Sequence, residues 1–368
     1  MIENLSKDEN ENRPDFPGKI AVVTSAITTC EDDFYSAEQL VIKYGADKII
    51  HAAWPDDFMN GQKQITDTVV SLAADREIKA LIINQAYDGT NAAVEKFKET
   101  RDDVFIVYCS NQEPLDIAVS LANLLLEGNE EKIGRMMVEQ AKKQGAKVFV
   151  HYSFPRQMLL EDTYNRYLNI KETCSIEGLQ FIDATALDPA GGADVDKAKQ
   201  FIFEDVCRLV AKYGEDTAFF CTNCALQAQL IKAVIENHAI YPQPCCPSIY
   251  HGFTEALGIQ TGEGQADLSY LISEASRLAA NKNMTDRLST WPVSASMMYT
   301  NVAAEYAIKW IKGEVPKTGI DDRVLVDCIN AYIIDVVGEE SHVFIDSYSM
   351  YGTIYNNYKL ILMGYLDL

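Results

Sequence analysis

Among the nine cysteines of the 368-residue sequence, four are closely spaced: Cys221 and Cys224 in Cys221-Thr222-Asn223-Cys224, and the adjacent Cys245-Cys246. The first pair stands where an apolar run gives way to a helical pattern, a placement that lowers a thiol pKa and suits dithiol chemistry. No tryptophan precedes it, and no companion half of a dithiol-oxidoreductase fold is visible, so packing thiols are the reading carried forward. Metal ligation is not expected, because adjacent cysteines rarely both reach one tetrahedral ion and no second C-x-x-C exists. The sequence has no G-x-G-x-x-G after its first apolar run, no G-x-x-x-x-G-K-[ST], no H-E-x-x-H and no G-x-S-x-G. Its five histidines are scattered. We therefore expect no catalytic residue, no cofactor, no metal and no enzyme.

Binding is the chemistry that remains, and its candidates are the polar and aromatic residues that follow short apolar runs. After the first run come Ser25, Thr28, Asp32, Asp33 and Phe34; after the second, Trp54, Asp56 and Asp57; after the third, Asn84, Gln85 and Tyr87; after the fourth, Ser110. Later in the chain the candidates are His151, Tyr152, Phe154 and Arg156, then Thr222 and Asn223, then His251. Such a set mixes hydrogen-bonding ends with aromatic plates, as suits a planar or ring-shaped polar ligand, stacked between Trp54 or Phe34 and Tyr152 or Phe154. Asn84-Gln85 is the best polar pair, because two amides directly after a buried strand need partners. Arg156 could clamp a carboxylate or phosphate. The competing reading gives Thr28, Thr29 and Glu31-Asp32-Asp33 a helix-capping role and makes Trp54-Pro55 a packed turn.

The elements that must position these residues follow from periodicity. Ile20–Val23, Lys48–Ile50, Ala80–Ile83 and Val104–Tyr108 are too short for helices, rich in β-branched residues and without alternation, as expected of parallel strands buried on both faces. Helical patterns at 31–43, 60–74 and 91–100 separate them, giving a doubly wound sheet whose ligands bind beyond the carboxyl ends of its strands. Residues 116–126 read as a further apolar strand. A second set then follows: helix 130–144, strand 147–150, helix 159–176, strand 179–182, a loop at Asp188–Gly192, helix 195–213, strand 217–220, helix 225–236 and a short strand 247–250. A glycine-rich link at 258–264 precedes helix 268–281, extended 288–293 and helix 295–312; the apolar 324–328 comes after. Two α/β halves in succession predict two lobes with a cleft between them.

The order of elements, with Lys19-Ile20-Ala21-Val22-Val23, Gly134-Arg135-Met136-Met137, Phe220-Cys221-Thr222-Asn223 and the late Trp291-Pro292 before a helix ending Lys312-Gly313-Glu314, resembles a type I periplasmic-binding-protein-like chain. That superfamily includes solute-binding lipoproteins and the effector domains of lactose-repressor-like regulators; the resemblance spans about 19–330 and points to an uncharacterised bacterial branch. It implies an α/β fold of two Rossmann-like lobes joined by a multi-strand hinge. The division expected is a flexible 1–18, lobe 1 from 19–122 plus 252–320, and lobe 2 from 123–251 plus 321–368 with a C-terminal extension. The implied function is solute binding in the cleft, as the receptor of a transport system or a sensor; the alternatives are a cytoplasmic regulator without its own DNA-binding domain, or an enzyme using the same cleft. The family's usual aspartate after the third strand of lobe 2 is Asn223 here, which argues against a standard sugar-hydroxyl clamp. By the same resemblance the repressor branch carries a helix-turn-helix ahead of its first strand; only 18 residues, acidic in balance, precede Lys19 here, so a DNA-binding regulator is not expected.

Composition agrees with a folded core, at 48% hydrophobic and 23% charged residues. The net charge of −22 opposes binding to phosphate backbones. No apolar run reaches the about 18 to 20 residues that span a bilayer. An odd number of cysteines favours the cytoplasm, the alternative being an extracellular lipid-anchored protein whose signal has been removed. Expected partners are the small-molecule ligand with a membrane permease or a regulatory protein, and no nucleic acid. A homodimer is left open by the tyrosine-rich tail, 341–368, which is expected to dock on the body or on a second subunit.

Overall fold

Four aliphatic runs too short for helices form β1 (Lys19–Thr24), β2 (Ile49–Ala53), β3 (Ile78–Ala86) and β4 (Phe105–Asn111), followed by β5 (Leu124–Gly128). The computed structural model describes residues 13–55, 61–189, 194–260 and 267–368. The expected flexible start up to Asn12, the candidates Asp56 and Asp57, Gly191-Gly192 and 261–264 of the glycine-rich link lie outside the described residues.

The chain divides into two compact units. The first runs to Gly128 and takes in Ser296–Tyr332 and Val343–Ile361; the second is Asn129–Ala295, Ile333–His342 and Leu362–Leu368. This grouping differs from the sequence division at 123–128, 252–295, 321–332 and 343–361. The reason is pairing: β5 bonds β4, and the tail forms β10 (Val343–Met350) and β11 (Thr353–Met363), of which β11 runs parallel to β5 through Tyr358↔Leu125. The tyrosine-rich tail therefore docks on the first unit as a strand pair, turned by left-handed Tyr351 and Gly352 (φ 50° and 80°).

The first unit's sheet has the order β10-β11-β5-β4-β3-β1-β2. Its central strands are shielded on both faces, which explains their unbroken aliphatic character: Ile20 to Val23 and Ala80 to Ile83 are fully buried. Side chains from the helices Gln62–Leu72 and Thr90–Lys98 fill one cluster with Trp54, Val69, Val94, Phe97 and Tyr108. The helix Ala295–Lys312 packs from Ser296 onward by Tyr306 and Trp310 on Phe105, at 6.0 and 5.2 Å between ring centres.

The second unit has a three-stranded parallel sheet, β7-β6-β8, built from β6 (Val148–Ser153), β7 (Gln180–Thr185) and β8 (Thr217–Cys221). Bridges Ala218↔Ile240 and Tyr241↔Leu288 prolong it beyond β8. There β9 (Ser289–Thr290) pairs antiparallel with β12 (Leu366–Asp367).

Two local readings are corrected. Residues 116–126 split into the helix Leu115–Leu121 and β5, because Pro114 at φ −51° starts a helix that Ala122, extended at ψ 142°, ends. Residues 247–250 form turns: Pro247 lacks an N–H, and the amides of Tyr250 and His251 bond to Ser248. The apolar 324–328 lies inside the helix Asp322–Val337. Among the described residues no helix is long and apolar enough to cross a membrane.

Candidate functional site

At the carboxyl ends of β1 and β3 a polar cluster is built from segments far apart in sequence. Ser25 Oγ donates to Asp33 Oδ2 at 2.7 Å and lies 2.9 Å from the Tyr87 hydroxyl. Ser296, on the first turn of a helix more than 260 residues later, donates to the other oxygen of Asp33. Asn84 Nδ2 donates to Ser296 Oγ at 2.9 Å and to Thr300 Oγ1 at 2.7 Å, while its buried Oδ1 has no partner. Burial pushes the Asp33 carboxyl up against the opposing hydrogen bonds from Ser296 and Ser25. Burial likewise pushes the Tyr87 phenol up to about 12.

Beside this cluster the backbone departs from strand geometry. Gln85 (φ 60°) and Ser110 (φ 51°) are both left-handed, and the register pairs Asn84 with Cys109 and Ala86 with Asn111, so the two stand opposite one another in adjacent strands. Such a conformation costs a non-glycine residue free energy and persists only where its surroundings enforce it. Here the Gln85 carbonyl accepts from Trp54 Nε1 at 3.0 Å and from the Tyr87 amide at 2.9 Å, and its side-chain oxygen accepts from Gln112 at 3.1 Å.

The remaining first-unit candidates divide by exposure. Thr28 is exposed and Asp32 buried. The capping reading is corrected: Cys30 is the N-cap of the helix Glu31–Tyr44 and makes no side-chain cap bond, so only the acidic first turn opposes the dipole. Phe34 is half-buried, its ring 4.8 Å from that of His51. Trp54 is 2% exposed inside the core cluster, so the packed-turn reading describes it and it presents no open plate.

In the second unit Tyr152 is also interior, stacked on Phe219 with its hydroxyl 2.9 Å from Asp205 Oδ2. Phe154 is 1% exposed, and the guanidinium of Arg156 lies 5.3 Å above its ring. Arg156 is exposed and bidentate to Asp188 at 2.9 and 3.0 Å. His151 is fully buried among the rings of Tyr167, Phe181 and Phe220; its nitrogens have no hydrogen-bond partner and burial drops it to about 3. Thr222 bonds Gln157 and the Tyr152 carbonyl, and Asn223 caps the turn after β8 by accepting from the Ala225 amide at 3.0 Å.

The two cysteines of the C-x-x-C do not meet. Cys221 is buried in β8, its thiol pushed up to about 12 by burial, while Cys224 faces Cys245 and Cys246 close to half-buried His251. Sequence reasoning weighed these thiols as metal ligands and set them aside without joining His251 to them, and it also omitted Ser296 and Thr300. Those two stand at i and i+4 of the helix Ala295–Lys312, a spacing that marks one face.

The family described as "Protein of unknown function (DUF3798)" matches residues 18–289. The chain belongs to this family. Two uncharacterized proteins of Treponema pallidum (strain Nichols) are similar to this DUF3798 chain: one is 28% identical over 195 residues, 53% of this chain and 88% of its own, and the other 26% identical over 178 residues, 47% and 80%. Among solved structures, a protein named as a candidate transcriptional regulator from Clostridium difficile 630 has TM-score 0.84 at 22% identity, covering 96% of this chain and 100% of its own. A sugar ABC transporter protein from Actinomyces odontolyticus ATCC 17982 has TM-score 0.54 at 8% identity, covering 86% and 88%. A sugar ABC substrate-binding protein from Bordetella parapertussis 12822 has TM-score 0.51 at 12% identity, covering 98% and 93%. The fold is thus of the periplasmic-binding-protein type, as the order of elements implied.

Proposed function

We propose that the chain binds a small, polar, ring-bearing solute between its two lobes, as the receptor of a transport system or as a sensor. The observation that carries this reading is the left-handed pair Gln85 and Ser110 at the carboxyl ends of adjacent strands, in a fold whose ligands lie beyond those ends. In this reading Ser25, Thr28, Asp32, Phe34, Asn84, Gln85, Tyr87 and Ser110 line one wall, with Trp54 fixing the Gln85 carbonyl from beneath. Arg156, Thr222, Asn223 and His251 line the other, over a floor of Tyr152 and Phe154. A membrane permease is the partner of a receptor, and a regulatory protein or a second copy the partner of a sensor. The receptor belongs outside the cell on a lipid anchor, the sensor in the cytoplasm.

The sensor reading gains support from the Clostridium difficile protein, which shares almost the whole length of the fold and is named as a regulator. A thermal-shift screen of the full chain over sugars, nucleosides, amino acids and polyamines tests the reading, since a ligand of the native state raises Tm by mass action. The expected result is a concentration-dependent rise with one class, with compaction in small-angle scattering. No shift with any class, or an unchanged scattering profile at saturation, counts against it. Recovery of the ligand intact separates a receptor or sensor from an enzyme in the same cleft.

A further inference from the structure

Four soft donors converge at the carboxyl end of β8, all within the second unit. Cys224 Sγ is 3.0 Å from Cys245 Sγ and 3.5 Å from Cys246 Sγ, and the latter two are 3.8 Å apart. The donor atoms of Cys224, Cys246 and His251 lie within 4.8 Å of one another. Tetrahedral zinc holds sulfur at about 2.3 Å, which sets neighbouring sulfurs about 3.8 Å apart. The Cys224–Cys246 separation is already within a few tenths of an ångström of that edge.

The loops that carry these donors are fixed from both sides. Buried Gln227 donates to the carbonyls of Cys221 and Asn223 at 2.9 and 2.8 Å, which holds the turn that presents Cys224. The second loop runs Pro242-Gln243-Pro244-Cys245-Cys246-Pro247, where three prolines limit the backbone. It ends in Gly252 at φ 95°, where a Cβ would lie 2.7 Å from Gln227 Cβ, so only glycine lets His251 come this close to the start of the helix Gln227–Glu236. Cys224 and Cys246 are exposed, His251 half-buried and Cys245 buried.

We propose that Cys224, Cys246 and His251 form a binding site for a thiophilic transition-metal ion of the zinc class, with one coordination position open to solvent or solute. Two thiolates and a neutral imidazole match zinc or cuprous ion and reject magnesium and calcium, which take oxygen ligands. Two thiolates also neutralise a divalent charge. Cys245 supports the site from the buried side, its Sγ 3.0 Å from that of Cys224. The site shares His251 with the proposed solute-lining wall, but its test is separate, because a metal can be read with no solute present.

The test is cobalt titration of the full chain after reduction and chelation, with zinc as competitor. The expected result is one cobalt per chain, with thiolate-to-cobalt charge-transfer absorption and four-coordinate visible bands, bleached by one equivalent of zinc. C224S and C246S lose the charge-transfer band, H251A shifts the visible bands, and C207S, elsewhere in the same unit, changes nothing. Absence of the band in the reduced wild-type chain overturns the proposal, whatever the variants do. So does an unchanged band in the C224S/C246S double variant. A chain isolated two hydrogen atoms lighter than its fully reduced form, with Cys224 joined to Cys245, that binds no cobalt once reduced, would make the cluster a redox pair instead.

Discussion

At the carboxyl edge of the seven-stranded sheet, Ser25, Asp33, Asn84 and Ser296 bond one another inside the unit, whereas at the same edge of the three-stranded sheet Arg156, Cys224 and Cys246 are exposed. A buried polar edge must find its hydrogen bonds within the protein, and here the partners come from a helix near the other end of the chain. An exposed edge is released from that demand, so its side chains are free to be reactive. The first edge is shaped by backbone strain held from beneath, the second by loops of proline and glycine that bring reactive atoms together.

Substitutions can break or sharpen this contrast. Trp54→Ala removes a core side chain and the donor that holds the Gln85 carbonyl; chemical denaturation should show a loss of about 3 to 5 kcal/mol. A stable variant that had lost only solute binding would instead make Trp54 a ligand platform. Asp33→Ala takes away the buried acceptor of the Ser25 and Ser296 hydroxyls, and a loss of about 3 kcal/mol is expected in the same measurement. A cost near zero would show that the edge is not held together by that carboxylate.

The second sheet supplies a pH effect. His151 is held at about 3, below its ordinary 6.5, so the unfolded chain binds a proton that the folded chain refuses between those values. Stability is unaffected above pH 6.5 and falls as the pH drops below it, by up to about 1.4 kcal/mol per unit. His151→Phe should flatten a plot of unfolding free energy against pH from 6.5 to 5; an unchanged slope would assign the effect to other groups. Arg156→Ala should be the mildest change, below about 1 kcal/mol, because its ion pair with Asp188 is solvent-screened. A marked loss of solute binding in that stable variant would give Arg156 the clamp role.

The central strands of both sheets were legible because parallel strands buried on two faces must be apolar and short, as Ile20 to Val23 and Phe219 to Phe220 are, whereas β10 and β11 of the tail were not read as strands. Leu115 to Leu126 misled because the helix Leu115–Leu121 is only two turns long and carries apolar Ile117 on its exposed side, so it shows no clear period, and only Pro114 marks its start. The cysteine cluster and the partners of Asn84 could not be read, since Cys224 with Cys246 and Asn84 with Thr300 meet only after the sheets and loops have formed. Trp54 and Tyr152 looked like ring platforms because strand-end aromatics are alike in sequence whether they face inward or outward.

The pairing of β11 with β5 bears on how the protein is made. Tyr358 sits against Leu125 with most of the chain between them, so the flank of β5 that accepts β11 has no partner while the intervening chain is being synthesised. Until the tail emerges from the ribosome, that flank presents unpaired amides and carbonyls beside Leu124, Leu125 and Leu126, a template for pairing with another nascent chain. Completion of the first unit therefore waits for the tail, and its slowest folding phase should follow the arrival of the tail.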